Sequence, residues 1–318
     1  MAQSVVPMVG ASGIGRPDGP GLAIRAIPWY RLQRMPPTGP ELEPILAALH
    51  AQLDALYARE PAVRASQEPE DLRRMRVAVR RLRAFLRVSR PMFGSKAVDG
   101  LRRELDWLGT ILGRARDLDM VRASVTVELD AVEGSTRRAG RALLRRLESD
   151  RGRAWELVHA ALDGPRYARL MLRLKTLLGR APRRHAELSL VETAAGEWKK
   201  VRRAVKRLPG HPSTADLHQV RIRLKRARYA AELAGGGRRV GKFIEQAKAV
   251  QDILGEHQDA VVIEEYLHDV IDSREAAHAL EHQLVGRQRK RRKKTRAAFL
   301  HEWPRLARRG RKAWARAA

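Results

Sequence analysis

Hydrophobic residues recur every three or four positions along most of the chain after residue 40, which is the spacing of an amphipathic helix. The first such segment spans about residues 41–59, and Pro61 is predicted to end it. Its apolar positions are Leu42, Ile45, Leu46, Leu49, Leu53 and Leu56. The pattern therefore predicts a helix that buries one leucine-rich face.

The same periodicity predicts further helices separated by glycine and proline. In the first half they are expected at about 68–90, 97–112, 116–129, 135–162 and 165–178. In the second half they are expected at about 187–208, 216–233, 239–254, 256–270 and 273–300, before a terminal stretch after Pro304. Gly113 and Gly255 are each interpreted as a break between two helices. Because Ala, Leu, Arg and Glu dominate and favour helices, the predicted fold class is all-α.

Two of the predicted helices carry basic side chains at matching positions. Each copy begins with Arg73 or His218, and cations follow three, seven, eight and ten residues later. At 100° per residue, positions 0, 3, 7 and 10 fall within an arc of about 80°. Each helix therefore presents a cationic stripe, which repels itself unless a polyanion lies against it. In the first copy, an adjoining apolar face is expected to point into the core: Met75, Ala78, Leu82, Phe85 and Leu86.

A second pair of motifs supports an internal duplication. Leu-Gly precedes Asp117 in the first half and Asp259 in the second, an offset of 142 residues, close to the 145 that separate Arg73 from His218. Two independent motifs at nearly equal offsets predict a tandem repeat over residues 41–316. The repeats would span about 41–180 and about 187–316, as two related helical bundles packed about a pseudo-twofold axis.

The beginning of the chain has a different composition. Residues 1–40 contain 13 Gly or Pro and no helical period, so they are predicted to form a disordered leader.

Charge narrows the choice of partner. The 318-residue chain has 64 Lys and Arg against 36 Asp and Glu, a formal net charge of +28. Nucleic acid, an anionic membrane surface and inorganic polyphosphate are therefore candidates, and the excess of Arg over Lys favours phosphate because guanidinium pairs with it in a bidentate manner. There is no cysteine and no apolar run long enough to span a bilayer, so a cytoplasmic protein without membrane insertion is expected.

The paired motifs resemble those of the CHAD family, a helical domain with characteristic histidines. The resemblance rests on residues 73–83, 112–117, 218–229 and 254–259, and it extends over the whole predicted repeat region. It implies a pair of four-helix bundles with a basic central pore or groove that binds inorganic polyphosphate, and an association with polyphosphate granules. The family usually starts each cationic helix with histidine. The arginine that starts the first copy here keeps the charge but cannot titrate near neutral pH.

The candidate polyphosphate-binding residues are the basic side chains of the two stripes. They are Arg73, Arg76, Arg80, Arg81, Arg83 and Arg87 in the first copy and His218, Arg221, Lys225, Arg226 and Arg228 in the second. The alternative is that both stripes are solvated helix faces, which the repeated spacing disfavours. Asp117 and Asp259 are predicted to give structural support, either by capping a helix or by orienting a stripe arginine.

Other charged residues suggest no separate site. The basic run 287–296 is expected to lie in a helix, partly on the same basic surface and partly in solvent, with a nucleic-acid patch as the alternative. The late histidines lack metal-ligand spacing and are interpreted as surface or packing residues: His257, His268, His278, His282 and His301. No metal or cofactor is expected.

The sequence contains no nucleophile–base arrangement and no phosphate-binding loop, so an enzyme is not expected. Non-catalytic binding of inorganic polyphosphate is the favoured function. The first alternative is a basic nucleic-acid-binding protein, although the aromatic interleaving of single-strand binders is missing. The second alternative is a polyphosphate-metabolising phosphohydrolase.

Overall fold

The computed structural model describes residues 42–129, 134–180, 189–270 and 275–315, and in these ranges the chain forms ten helices and no strand. The helices are α1 (Glu43–Ala65), α2 (Pro69–Val88), α3 (Arg90–Phe93), α4 (Ser95–Leu129), α5 (Gly134–Asp163), α6 (Pro165–Leu178), α7 (Leu190–Lys206), α8 (Thr214–Ala234), α9 (Arg238–Val270) and α10 (Glu275–Ala313). The all-α prediction is confirmed. The predicted leader 1–40 lies outside the described residues.

Helices pack in the same order in both halves of the chain. In the first half, α2 contacts α1 and α4, and α4 contacts α5. In the second half, α8 contacts α7 and α9, and α9 contacts α10. Contacts of α2 with α8, of α4 with α9 and of α5 with α10 join the two halves. This order parallels the duplication expected from the sequence motifs, while the pseudo-twofold arrangement itself stays a prediction.

The hydrophobic core extends across the boundary between the halves. The larger apolar cluster is built mainly from the first six helices, yet it also contains Tyr229, Leu233, Ile263 and Leu284 of the second half. A smaller cluster, centred on aromatic residues such as Trp198, lies entirely within α7 to α10 and the short segment after α10. Because the halves share buried side chains, the helices that face each other across the boundary are fixed in position.

Burial of one face sets the orientation of α2. The predicted apolar residues Met75, Ala78, Leu82, Phe85 and Leu86 are all at most 2% exposed, which confirms that part of the prediction. The apolar face and the cationic stripe of α2 lie at a fixed angle to each other around the helix axis. Burial of the apolar face therefore also determines where the cationic stripe points. On α8, the capping box between Ser213 and Asp216 sets the first turn, just before the second stripe begins.

Two glycines that were predicted to break helices lie inside continuous ones. Gly113 is within α4 and Gly255 is within α9, so the separate helices expected on either side of each glycine are wrong. A Cβ atom added to Gly113 would lie 3.3 Å from Nη2 of Arg76, and one added to Gly255 would lie 3.8 Å from Nη2 of Arg221. Gly113 therefore leaves room for a stripe arginine, at a helix-propensity cost of about 1 kcal/mol, whereas the contact at Gly255 is an ordinary one that alanine could also make.

Two prolines also fail to end their helices. The first helix continues past Pro61 to Ala65, where buried Val63 and a 2.6 Å hydrogen bond from Arg64 to the Leu162 carbonyl hold the last turn. Similarly, α10 passes through Pro304, so the predicted terminal stretch is helical as far as Ala313. Tertiary contacts offset the hydrogen bond that each proline removes. None of the helices in the described ranges is long and apolar enough to cross a membrane.

Candidate polyanion-binding site

The contact between α2 and α8 brings the two cationic stripes together. Burial has the largest effect on the pKa of Lys225, and the charges of Arg221, Arg80, Arg76 and Arg228 lower that pKa further. Lys225 on α8 is thus surrounded by arginines from both helices. We call Arg76, Arg80, Arg221 and Lys225 the central cluster.

Lys225 responds strongly to this arrangement. Its pKa falls from the ordinary 10.5 to about 6. Lysine responds to burial in this way more readily than arginine, which keeps its proton in proteins. The amine is therefore mostly neutral at pH 7 in the free protein, and an anion placed beside it would favour its charged form.

One aspartate from each half lies next to the central cluster. Burial raises the pKa of Asp117, Arg76 opposes that rise, and Asp259 adds to it. Burial lowers the pKa of Arg221, and Asp259 is the strongest influence in the opposite direction. Both aspartates lie inside continuous helices, so neither caps a helix. Each carboxylate instead lies near the arginine of its own half, and together they neutralise only part of the positive charge.

Tyr229 connects the two stripes, although sequence reasoning did not select it as a site residue. Its hydroxyl oxygen accepts a hydrogen bond from Nε of Arg80 at 3.1 Å. The guanidinium carbons of Arg81 and Arg228 lie 5.5 and 5.0 Å from the centre of its ring, within cation–π range. Its position directly after the second cationic motif was the only sequence signal. The tyrosine therefore orients arginines from both helices.

Carboxylates hold several of the remaining stripe residues at the edges of the cluster. Arg81 forms an ion pair with Glu232 across the α2–α8 contact, and Arg83 forms one with Asp106 of α4. In addition, Nη2 of Arg87 lies 3.1 Å from Oε1 of Glu197 on α7. These ion pairs anchor the ends of α2 side chains to three neighbouring helices.

Two predicted residues at the start of the stripes lie apart from the central cluster. Arg73 is exposed, and its Nε donates to Glu70 of the same helix at 2.6 Å. Nδ1 of His218 lies 2.6 Å from Oε1 of Gln258 on α9. The first position of each copy is therefore engaged by a protein side chain, and the cations that meet belong to the later turns.

Several buried guanidinium nitrogens have no hydrogen-bond acceptor among the described residues. Among the candidate residues they are the Nε atoms of Arg81, Arg83, Arg221 and Arg228, of which the last lies 3.6 Å from a carboxylate oxygen of Glu232. The Nε atoms of Arg223, Arg292 and Arg296 share this property. A buried donor without an acceptor is costly, which makes each of these atoms a place where an oxygen-rich ligand gains more than it would at a solvated arginine.

Two neighbouring cavities open along α2. The large cavity, about 860 Å³, lies between α2, α4, α5 and α9 and is lined in part by Arg76, Arg80 and Arg83. The small cavity, about 380 Å³, lies mainly between α2, α7 and α8, and Lys225 and Arg226 contribute to its wall. Both cavities are lined by Arg80 and Arg83, so they adjoin each other there. The structure thus places cations along a path rather than at a point.

The chemistry of this path is that of anion binding. Its basic groups are guanidinium donors with a single amine, and three of the four aspartates that line the large cavity, Asp106, Asp117 and Asp150, lie beside arginines. An extended polyanion fits such a path, because each of its charges meets a separate cation.

The fold and the site together describe an all-α protein in which basic residues of two helices converge. The family model for the CHAD domain matches residues 47–268. The chain belongs to the CHAD domain family.

Curated relatives and solved structures are also similar to this chain, and one of the solved structures is a CHAD domain. The chain is 32% identical over 244 residues to uncharacterized proteins from two strains of Mycobacterium tuberculosis, and the match covers 73% of this chain and 46% of theirs. The chain therefore spans about half the length of these curated relatives. The CHAD domain from the plant Ricinus communis is similar in structure, with a TM-score of 0.66, 27% identity, and 84% of this chain and 93% of that chain covered. PptA from Streptomyces chartreusis shares the fold, with a TM-score of 0.70, 22% identity, and coverage of 82% and 98%.

Proposed function

We propose that the protein binds inorganic polyphosphate without cleaving it, and that the central cluster with its two adjoining cavities is the binding site. The observation that carries this proposal is the meeting of Arg76 and Arg80 with Arg221 and Lys225 across the α2–α8 contact. Evenly solvated stripes would point away from each other to reduce repulsion. Their convergence supports a ligand that supplies negative charge between them.

Polyphosphate matches this site in charge and in shape. The polymer is a single thin chain with about one negative charge per phosphate, and it has no bases that need recognition. Several cations at short intervals along a path are sufficient to bind it, and each contact releases condensed counterions. We therefore expect the affinity to fall steeply with salt.

The geometry favours polyphosphate over nucleic acid. The central cluster lies between packed helices, where the cavities of about 860 and 380 Å³ leave no room for a duplex. A single-stranded nucleic acid would need free aromatic faces for base stacking. Among the aromatic residues that line the two cavities, Tyr229 is flanked by Arg81 and Arg228, Phe85 is buried edge-on against Tyr229, and Tyr266 donates its hydroxyl to Asp150.

A competition titration tests this proposal. Long-chain polyphosphate is titrated into the full chain at several salt concentrations, with duplex DNA or heparin as the competitor. The competitors are compared at equal total charge. We expect polyphosphate to remain bound to this chain at competitor concentrations that displace it from an unrelated basic protein. Equal affinity for duplex DNA and polyphosphate at matched salt would instead favour the nucleic-acid function.

Absence of catalysis is part of the proposal and has its own test. Purified protein is incubated with polyphosphate in the presence of Mg²⁺ or Mn²⁺, and released phosphate is measured over time. We expect no release above that of the buffer. Metal-dependent release would establish a phosphohydrolase.

We further propose that this binding directs the protein to polyphosphate granules. The support is indirect, since a granule presents many polymer chains and so favours a protein with an extended cationic path. Granules isolated from cells should retain the purified protein, and added free polyphosphate should release it. Retention that free polyphosphate cannot reverse would indicate another attachment.

A further inference from the structure

Helix α5 adds a group of charged residues to the large cavity that the two stripes do not include. Arg146, Asp150 and Arg153 all line this cavity. Nε of Arg146 lies 3.3 Å from one carboxylate oxygen of Asp150, and Arg153 forms an ion pair with the other oxygen. The hydroxyl of Tyr266 on α9 donates to the same carboxylate at 2.9 Å. Asp150 thus forms ion pairs with two arginines and accepts a hydrogen bond from Tyr266.

Exposure differs sharply within this group. The side chain of Asp150 is 16% exposed, whereas those of Arg146 and Arg153 are 61% and 58% exposed. The two guanidinium groups therefore face the open part of the cavity, and their counter-charge lies beneath them. Burial raises the pKa of Tyr266, and its hydrogen bond to Asp150 raises that pKa further, so the hydroxyl stays a donor to the carboxylate.

The group is continuous with the central cluster. The same cavity is lined by Arg76 and Arg80 of the central cluster and by Arg83 of α2. Three other acidic residues line this cavity: Asp106 pairs with Arg83, Asp117 lies near Arg76, and Asp269 is exposed at the end of α9. A phosphate chain that leaves the central cluster through this cavity next meets the α5 arginines.

We infer that the large cavity is a second section of the polyphosphate path, in which Arg146 and Arg153 contact phosphate groups and Asp150 is a built-in competitor that the polymer displaces. This inference rests on the proposed function and extends it to a second set of residues and to ligand selectivity. It involves no covalent step, because phosphate oxygens replace a carboxylate as acceptors from the same guanidinium groups.

The competitor explains how the cavity would discriminate against small phosphates. Asp150 is attached to the same helix as both arginines, so it is present at a high effective concentration, and a single phosphate in solution competes poorly with it. A polymer that is already bound at the central cluster presents its next phosphates at a comparable effective concentration. The α5 section therefore selects for long chains.

The test uses the full chain and two variants of this section. Asp150→Asn keeps the shape of the side chain but removes its charge, so it should raise the affinity for long-chain polyphosphate by about fivefold and allow tripolyphosphate to bind measurably. The double variant Arg146→Gln/Arg153→Gln should lower the affinity for long chains by at least about fivefold, and it should make the dependence on salt shallower.

Arg141→Gln/Arg145→Gln is the matched control, since both residues are exposed on the same helix and neither lines the large cavity. It removes the same charge and should change affinity by less than about twofold. Thermal unfolding of each variant checks the fold. If the unmodified chain binds polyphosphate, but Asp150→Asn brings no gain and the two double variants behave alike, this inference is wrong and the proposed function stands. If the unmodified chain does not bind, the proposed function itself fails.

Discussion

At the scale of single residues, Lys225 shows how the free protein limits repulsion within its cationic site. Burial and four neighbouring arginines lower the pKa of its amine to about 6. The free protein thereby avoids one charge in the cluster near neutral pH. A polyanion would restore that charge, so binding should take up a proton.

Lys225→Met tests this account through pH dependence. In the unmodified chain the folded pKa lies below that of the unfolded chain, so the unfolded state holds more protons between about pH 6 and pH 10. Stability should therefore rise with pH across this window, as measured by urea unfolding. Polyphosphate affinity should rise in the opposite direction, as pH falls toward 6, by at most about tenfold per pH unit.

The methionine variant keeps most of the length of the side chain but has no titrating group. It should therefore lose these contributions to the pH dependence of stability and of polyphosphate affinity. Identical slopes for the two proteins, in unfolding and in binding, would show that the amine titrates normally. His218→Gln in the same background serves to separate any contribution of the histidine that begins the second stripe.

Tyr229→Phe tests whether the stripe arginines need to be oriented. The change removes the acceptor of Arg80 and keeps the ring, so it should cost about 1 kcal/mol of stability and weaken polyphosphate binding severalfold. Tyr167→Phe is the control, because its hydroxyl donates to Glu60 at 2.7 Å away from the site. That variant should lose similar stability and keep its affinity. Equal affinities for both variants would contradict the orienting role.

The sequence could indicate only part of the site at this scale. The central cluster was among its candidates, because helical spacing alone places Arg76 with Arg80 and Arg221 with Lys225. Tyr229 was not, because its role depends on α2 packing against α8. Arg73 was a candidate by position in the motif, but Glu70 one turn away binds it.

At the scale of helices, the sequence predicted where helices exist better than where they end. Apolar periodicity located every long helix in the described ranges. Gly113, Gly255, Pro61 and Pro304 were misinterpreted as ends, because local propensity is weak compared with tertiary packing. In α4 and α9 the glycines lie against stripe arginines, a contact that no local rule reveals.

Glycine substitutions test the continuity of these helices. Gly255→Ala should stabilise the protein by about 0.5–1 kcal/mol, because α9 is regular there and the new Cβ would have an ordinary contact at 3.8 Å. Gly310→Ala should destabilise it by about 1–3 kcal/mol, because its Cβ would lie 2.2 Å from the ring of Trp198. Urea unfolding measures both. Destabilisation by Gly255→Ala would indicate that α9 bends at that glycine.

At the scale of the whole molecule, the packing of the two halves builds the site. Neither α2 nor α8 alone concentrates charge in the way that their contact does, and the shared core holds them together through residues such as Tyr229. The sequence predicted the all-α class and the family. It did not predict that α5 contributes to the large cavity, since that depends on how α5 packs beside α4 and against the second half.

The measurement that most directly tests the central claim compares two double substitutions that make the same change in formal charge. Arg80→Glu/Lys225→Glu reverses charge where the stripes meet, and the new carboxylates can pair with the neighbouring Arg76 and Arg221, so the fold should survive. Arg308→Glu/Lys312→Glu makes the same formal change on the exposed face of α10.

Polyphosphate affinity is measured for both proteins by equilibrium titration, with thermal unfolding as a check on the fold. The site variant should lose at least about 100-fold in affinity, equivalent to about 2.7 kcal/mol, while the α10 variant stays within about threefold of the unmodified chain. Equal losses would show that bulk positive charge, and not the convergence of α2 and α8, is what binds the polymer.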